Sequence, residues 1–411
     1  MKKFNAVITK NYILFFNLYF ISIFLKSTTL VVDYPILNTI QKAIRFIAFL
    51  FMLIRLIILL PEYYNQIREK KWKEKSKLEK IILITAGILL IAEIINFILY
   101  RDIRLLSITL VILSAYNVDT KKIIKNVLTM QLAMTCLVIF ASIFGITQNY
   151  AVPREDGNLR YSLGFAFTTN LSQIVLFATL LYCYIEDFKV SNTILFFLQI
   201  TNLLIYYITN SRTEILVFEA LVVIILLYRY IPNKTFNKAK KIISKIFVRF
   251  YWCIPILSLV VVLLYANGGE FINKLNQLLS NRLAQTYEVI ADGNIKLFGS
   301  DVELIGYGIG DIIKYGNNIK SNYIDNEYLQ MLVLYGIIIT VSFIVLMNIL
   351  LYALYKQRRY KELFMCAIYL LFGVLNPRII DLMYSPILFM LIPYIMNLIK
   401  QKENVNGEDS K

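Results

Sequence analysis

The chain has 411 residues, 58% of them hydrophobic, with a formal net charge of +16 and no histidine. Its mean hydropathy of +0.62 lies far above that of soluble proteins, which excludes a soluble fold. The absence of histidine excludes a histidine general base and histidine metal ligands. The basic residues lie in short segments between apolar runs, where membrane topology and anionic lipids explain them without a nucleic-acid partner.

The apolar runs predict an all-α polytopic membrane protein, organised as a single integral membrane domain over residues 1–411. An open sheet cannot satisfy its backbone in lipid, and about 12 runs approach the roughly 20 residues that a transmembrane helix needs. In chain order these predicted spans are residues 12–32, 36–60, 81–100, 105–118, 127–147, 163–185, 193–209, 215–231, 251–266, 328–355, 363–376 and 386–399. Spans 4, 11 and 12 are short, and Leu375-Asn376-Pro377 and Pro386 are expected to break the last pair into re-entrant pieces.

A long polar segment, residues 267–327, separates predicted spans 9 and 10. Its first third places apolar residues at helical spacing, which predicts an amphipathic helix on the membrane surface or against the bundle. These residues are Phe271, Leu275, Leu278, Leu279, Leu283, Tyr287 and Ile290. The glycine cluster Gly306–Gly310 follows no strand and is interpreted as turn chemistry. Because loops of this length are usually functional, the segment is predicted to be a lid over a site.

The distribution of Lys and Arg predicts the orientation of the chain. The set of loops that includes both termini is the shorter one, yet it carries more than twice the basic residues of the alternate set. The positive-inside bias therefore places both termini in the cytoplasm of a multi-pass protein of the cell membrane. Residues 267–327 are then extracytoplasmic.

Polar residues suited to chemistry lie on this predicted outer face. Arg160 lies in the loop 148–162, and Asn170 and Gln173 open the next span, three residues apart and so on one helix face. Arg212 occupies a tight outer turn, where an idle cation would run against the positive-inside bias. The plainer interpretations are a loop cation for Arg160 and an interhelical hydrogen bond for Asn170.

The long outer segment supplies the remaining candidates. Arg282 lies in its amphipathic part, and Asp325 and Asn326 open the tenth span just ahead of Tyr328. Arginine is a permanently charged fork that matches phosphate oxygens, so several on one face would hold a diphosphate without a metal ion. The plainer interpretations are a solvated surface cation for Arg282 and a helix N-cap for Asp325.

Three local patterns give the chain a family resemblance. They are Arg160-Tyr161-Ser162-Leu163-Gly164-Phe165 with Thr168-Thr169-Asn170, then Asn210-Ser211-Arg212, then Gly306-Tyr307-Gly308 with Asp325-Asn326-Glu327-Tyr328-Leu329-Gln330 and Gly336. In this order they resemble the O-antigen and capsule polymerase/ligase superfamily, which comprises Wzy-type polymerases and lipopolysaccharide ligases. The chain departs from the family pattern at Thr168-Thr169, where the family has His-Pro, and at Asp325, where it has His. Since the ligases use a histidine in that loop, the chain resembles the polymerases more closely.

The resemblance implies a GT-C-like membrane glycosyltransferase that transfers a glycan from undecaprenyl diphosphate to a lipid-linked repeat unit outside the membrane. It implies that Arg160, Arg212 and Arg282 bind the donor diphosphate, and that Asp325 is the base for the acceptor hydroxyl. The implied substrate-binding residues are Asn170, Gln173, Asn326 and Tyr328. No cofactor or metal is expected, and the implied partners are the bilayer, a chain-length regulator and a flippase of the same pathway.

Two alternatives keep the same membrane setting. One is a flippase or similar transporter of lipid-linked oligosaccharides, although transporters usually show related halves and polar sites at mid-membrane. The other is the ligase relative, which joins a finished polymer to a different acceptor. A transporter mutant would accumulate repeat units on the cytoplasmic leaflet, whereas a polymerase mutant would leave them outside.

Overall fold

The computed structural model describes residues 11–68, 74–153, 157–230, 233–316 and 320–408, and these ranges are mostly helical. The helices are α1 Tyr12–Lys26, α2 Leu30–Asp33, α3 Pro35–Arg68, α4 Lys77–Tyr100, α5 Arg104–Ser114, α6 Thr120–Ile143, α7 Asn170–Ile185, α8 Asn192–Thr209, α9 Arg212–Tyr230, α10 Asn233–Phe250, α11 Cys253–Tyr265, α12 Glu270–Leu278, α13 Arg282–Ala291, α14 Ile309–Tyr315, α15 Glu327–Leu334, α16 Gly336–Lys356, α17 Tyr360–Phe372 and α18 Leu391–Glu408, with the 3₁₀-helix Pro386–Met390 ahead of α18. Strands β1 (Ala151–Pro153) and β2 (Leu159–Tyr161) form an antiparallel hairpin in which Val152 pairs with Arg160.

Five helices within the described ranges are long and apolar enough to cross a membrane: residues Pro35–Asn65 of α3, then α4, α6, α8 and α16. Residues Lys238–Phe250 of α10 and helix α11 also pass together, with a bend of 57° between them, which brings the number to six. Helices of this length and composition are those of an integral membrane protein.

The predicted count of about 12 spans is not supported. Several of the predicted spans form apolar helices of only 10–17 residues, namely α1, α5, α7 and residues Pro386–Ile399. At about 1.5 Å per residue such helices are shorter than the roughly 30 Å hydrocarbon core of a bilayer. Apolar composition located these segments, but it did not show where their helices break.

The first predicted span, residues 12–32, breaks after Lys26. The hydroxyl of Ser27 donates to the carbonyl of Phe24 and that of Thr28 to the carbonyl of Leu25, both at 2.7 Å, so side chains satisfy the carbonyls at the helix end. The broken segment then pairs with residues 164–166, because Thr29 N–H donates to the carbonyl of Gly164 at 2.8 Å. This pairing fixes the start of α7 against the end of α1.

The predicted amphipathic helix of residues 271–290 is two helices, α12 and α13. They are separated by Ser280 and Asn281, whose φ angles of 53° and 63° are incompatible with a continuous right-handed helix. Leu283 and Ile290 of α13 are buried in a small second core with Val262, Ile324, Leu329 and Val333. The long segment is therefore attached to α11 and α15 by its own apolar contacts.

One member of the glycine cluster, Gly308, is required by close packing. Gly308 has an ordinary φ of −78°, and a Cβ on it would lie 2.7 Å from the ring of Phe167. Gly306 faces the same ring and that of Tyr323. Gly308 therefore lets the segment 267–327 lie directly on the ring of Phe167, which is a reason for glycine that the turn interpretation does not include.

Two further glycines allow the outer segment to cross the junction between α15 and α16. Gly299 and Gly336 have φ angles of 94° and 90°, and a Cβ on Gly336 would lie 2.3 Å from the nitrogen of Gly299. Ser300 N–H donates to the carbonyl of Val333 and Ile337 N–H to that of Lys296, both at 3.0 Å. The crossing segment brings residues 300–304 to the site described next.

Candidate functional site

A cavity of about 650 Å³ lies where the segment 267–327 meets the breaks between helices, such as the break after α1. This volume is typical of a small-molecule site. Its wall is rich in charge: among the described residues, the lining includes the basic residues Lys26, Arg45, Arg104 and Arg378 and the acidic residues Asp102, Asp301, Asp311, Glu327 and Asp381. Of the residues predicted from the sequence, the lining includes Asn170.

Arg378 joins this cavity to a buried polar network. Its Nε donates to Oε1 of Gln173 at 2.6 Å, and its Nη2 donates to Oδ1 of Asn170 at 3.0 Å. The guanidinium also lies over the ring of Tyr384, 4.6 Å from the ring centroid, and its Nη1 is 3.9 Å from Oδ2 of Asp381. A cation held in this way by two amides and an aromatic ring has a fixed orientation.

The amides that hold Arg378 are themselves fixed. Gln173 Nε2 donates to Oε1 of Glu214 at 3.0 Å, and Asn376 Nδ2 donates to the same oxygen at 3.2 Å. Asn170 Nδ2 donates to the carbonyl of Ser27 at 3.3 Å, which links the network to the break after α1. The expectation that Asn170 and Gln173 share one helix face is confirmed, since both accept a hydrogen bond from the same guanidinium.

Arg282 and Asp325, both predicted as site residues, form an ion pair. Arg282 Nε lies 2.9 Å from Oδ2 of Asp325, and Arg282 Nη1 donates to the carbonyl of Leu375 at 3.1 Å. Burial raises the pKa of the Asp325 carboxyl above its ordinary value, while the charges of Arg282, Arg378 and Arg160 act to lower it. Asp325 is thus a carboxylate with raised basicity that pairs with Arg282 and lies in the field of two further arginines.

Glu327 lies beside this pair at the start of α15 and in the cavity wall. Its side chain is fully buried, and Oε2 accepts the N–H of Ile379 at 2.9 Å. The other oxygen, Oε1, has no hydrogen-bond partner among the described residues. Burial raises the pKa of Glu327 to about 8, although Arg378 and Arg104 act to lower it, so this carboxyl is largely protonated at neutral pH.

Asn326 and Tyr328 have partners within the fold. Asn326 Oδ1 accepts the N–H groups of Tyr328 and Leu329 at 3.0 and 3.1 Å, so Asn326 is the N-cap of α15. The Tyr328 hydroxyl donates to the carbonyl of Leu370 at 2.7 Å in the core. Asn326, and not Asp325, is therefore the N-cap of this helix. The Asp325 carboxylate instead forms the ion pair with Arg282.

The other two predicted arginines, Arg160 and Arg212, lie on β2 and at the start of α9. Arg160 is held on β2 by the hairpin, and its charge acts on Asp325. Arg212 opens α9, two residues before Glu214, which accepts from Gln173. Their roles in substrate binding stay predictions.

Sequence reasoning missed Arg378 and the basic residues of the N-terminal half. For Arg378 a signal was present, because the break predicted at Leu375-Asn376-Pro377 is followed at once by an arginine within an otherwise apolar segment. For Lys26, Arg45 and Arg104 no local motif exists, and only the assembled fold brings them to one cavity.

Comparisons of the chain with protein-family models, curated proteins and solved structures find no match. The site is therefore interpreted from its own geometry.

Proposed function

We propose that the protein is a polysaccharide repeat-unit polymerase of the cell membrane. It transfers a glycan from undecaprenyl diphosphate to a lipid-linked repeat unit on the extracytoplasmic face, in a GT-C-like arrangement with both termini in the cytoplasm. The bilayer supplies both substrates, and a flippase and a chain-length regulator of the same pathway are its functional partners.

The observation that carries the proposal is a charged cavity of about 650 Å³ whose Arg378 acts electrostatically on Asp325 of the Arg282–Asp325 ion pair. A glycosyl transfer from a diphosphate needs cations that stabilise the departing anion and a base that accepts the proton of the acceptor hydroxyl. Arginines and a carboxylate of raised pKa supply both on neighbouring side chains.

In the proposed reaction the acceptor hydroxyl loses its proton to Asp325 as its oxygen forms a bond to the anomeric carbon of the donor. The bond between that carbon and the diphosphate oxygen breaks, and the electron pair leaves with the diphosphate. Arg378, Arg160 and Arg212 stabilise the charge of the leaving group. Arg282 keeps the Asp325 carboxylate oriented by the 2.9 Å ion pair.

The test is an assay of the purified protein with one lipid-linked repeat unit in detergent. A ladder of longer lipid-linked glycans is the expected product, and Arg378→Ala should abolish it. Lys274→Ala is the matched control, because Lys274 is an exposed cation of the same outer segment and pairs with Glu270. Leaflet transfer of the same substrate in liposomes, without a ladder, would instead identify a flippase.

A further inference from the structure

Three basic side chains from separate helices meet at one side of the cavity, and none belongs to a motif of the predicted site. They are Lys26 at the end of α1, Arg45 in α3 and Arg104 at the start of α5, and they are called here the basic tripod. Lys26 lies in the electrostatic field of both Arg45 and Arg104. Like charges held together around a cavity repel one another; Asp102 and Asp381 offset part of this repulsion at Lys26, and an anion between the three cations would offset more of it.

The tripod cations are not paired with carboxylates of the described residues. Arg45 is held by neutral groups, with Nε donating to Oγ of Ser22 and Nη2 to Oε1 of Gln41, both at 2.8 Å. These two bonds fix the guanidinium without neutralising it.

The nearby carboxylates accept hydrogen bonds from backbone N–H groups. Asp102 Oδ1 accepts the N–H of Arg104 at 2.9 Å, and Asp381 Oδ1 accepts that of Met383 at 3.1 Å. Each carboxylate thereby stabilises the turn in which it lies. Both carboxylates also act electrostatically on Lys26 and Arg104, but neither lies within ion-pair distance of a tripod cation, so an anionic ligand can still form direct ion pairs with the tripod.

Helix α5 adds to the positive potential and holds Arg104 in place. It has 11 residues and begins at Arg104, so the positive end of its dipole lies at the cavity. Its other end is anchored, because Arg55 Nε donates to the carbonyl of Ser114 at 2.6 Å and the Tyr63 hydroxyl donates to that of Leu113 at 2.8 Å. The helix cannot shift along its axis without breaking these bonds.

We propose that the basic tripod binds the diphosphate of a lipid-linked substrate. This inference rests on the proposed function and places the diphosphate at the N-terminal helices, rather than at the arginines of the outer loops alone. Asn170 connects the two regions, since it donates to the carbonyl of Ser27, next to Lys26, and accepts from Arg378. The tripod therefore holds the lipid headgroup while Arg378 faces the bond that breaks.

The test measures binding rather than turnover. Undecaprenyl diphosphate is titrated into the purified full-length protein in detergent, and inorganic pyrophosphate is used as a competitor. Lys26→Met and Arg104→Gln should each weaken lipid binding at least about tenfold, the usual cost of losing a charged hydrogen bond. Lys274→Ala should bind like the wild type, and a thermal unfolding scan without ligand identifies any variant that fails to fold.

Unchanged affinity in folded Lys26→Met and Arg104→Gln proteins overturns the tripod assignment. Binding of pyrophosphate without binding of the lipid also overturns it, because the site would then take a free anion. If the lipid binds at the tripod but the wild type makes no ladder, the subsite stands and the polymerase proposal fails.

Discussion

Arg378 is the residue on which the site depends most. Its guanidinium makes two directed hydrogen bonds and one ring contact, so it acts through its shape as well as its charge. We expect Arg378→Lys to lower polymerisation at least about tenfold, because an ammonium cannot reproduce a planar fork between Asn170 and Gln173. Ladder formation in the purified variant measures this, and a rate equal to that of the wild type would show that charge alone suffices.

The role proposed for Asp325 predicts how the transfer rate depends on pH. A base must be ionised, so the transfer rate should fall on acidification through the pKa of Asp325, which burial raises above its ordinary value. Arg282 lowers that pKa, so Arg282→Gln should raise it and move the acid limb of the pH–rate profile to higher pH. Lys274→Ala should leave the limb in place. An acid limb that stays fixed, or moves down, in Arg282→Gln would exclude Asp325 as the titrating base.

At the residue scale, the sequence was informative where chemistry and local spacing coincide. The sequence predicts that Arg282 and Asp325 lie on one face of the molecule, and their side chains form an ion pair. The proximity of Lys26 and Arg104 could not be predicted from the sequence, because it depends on the helix break after Lys26 and on the turn that precedes Arg104. Hydropathy marks the turn as the gap between the predicted spans 81–100 and 105–118, but it gives no signal for the break within residues 12–32.

At the scale of elements, one contact of the segment 267–327 depends on a single glycine against a single ring. Gly308→Ala should push a methyl group into Phe167, destabilise the contact by about 1–3 kcal/mol and lower activity. Gly310→Ala is the matched control, since a Cβ at Gly310 meets nothing within 4 Å. The double variant Gly308→Ala with Phe167→Leu should recover part of the loss. Thermal unfolding and ladder assays measure both effects, and equal behaviour of the two alanine variants would rule out the packing explanation.

There is a physical reason why hydropathy did not predict where the helices end. A buried half-length helix such as α5 has the same apolar composition as a span, and its end is set by side chains that bind the last carbonyls, as Arg55 does at Ser114. Those partners are distant in sequence. Composition therefore located the apolar segments but overestimated how many of them cross the membrane.

At the scale of the whole molecule, the orientation links the site to the supply of its substrates. A repeat unit that has been moved to the outer leaflet reaches the cavity only if residues 267–327 are extracytoplasmic, as the distribution of Lys and Arg predicts. In a cysteine-free background, Lys274→Cys should react with a membrane-impermeant maleimide in intact cells. Lys121→Cys, at the start of α6, should react only after permeabilisation. The reverse pattern would place the Arg282–Asp325 pair in the cytoplasm, where the donor chemistry proposed here has no access to exported glycans.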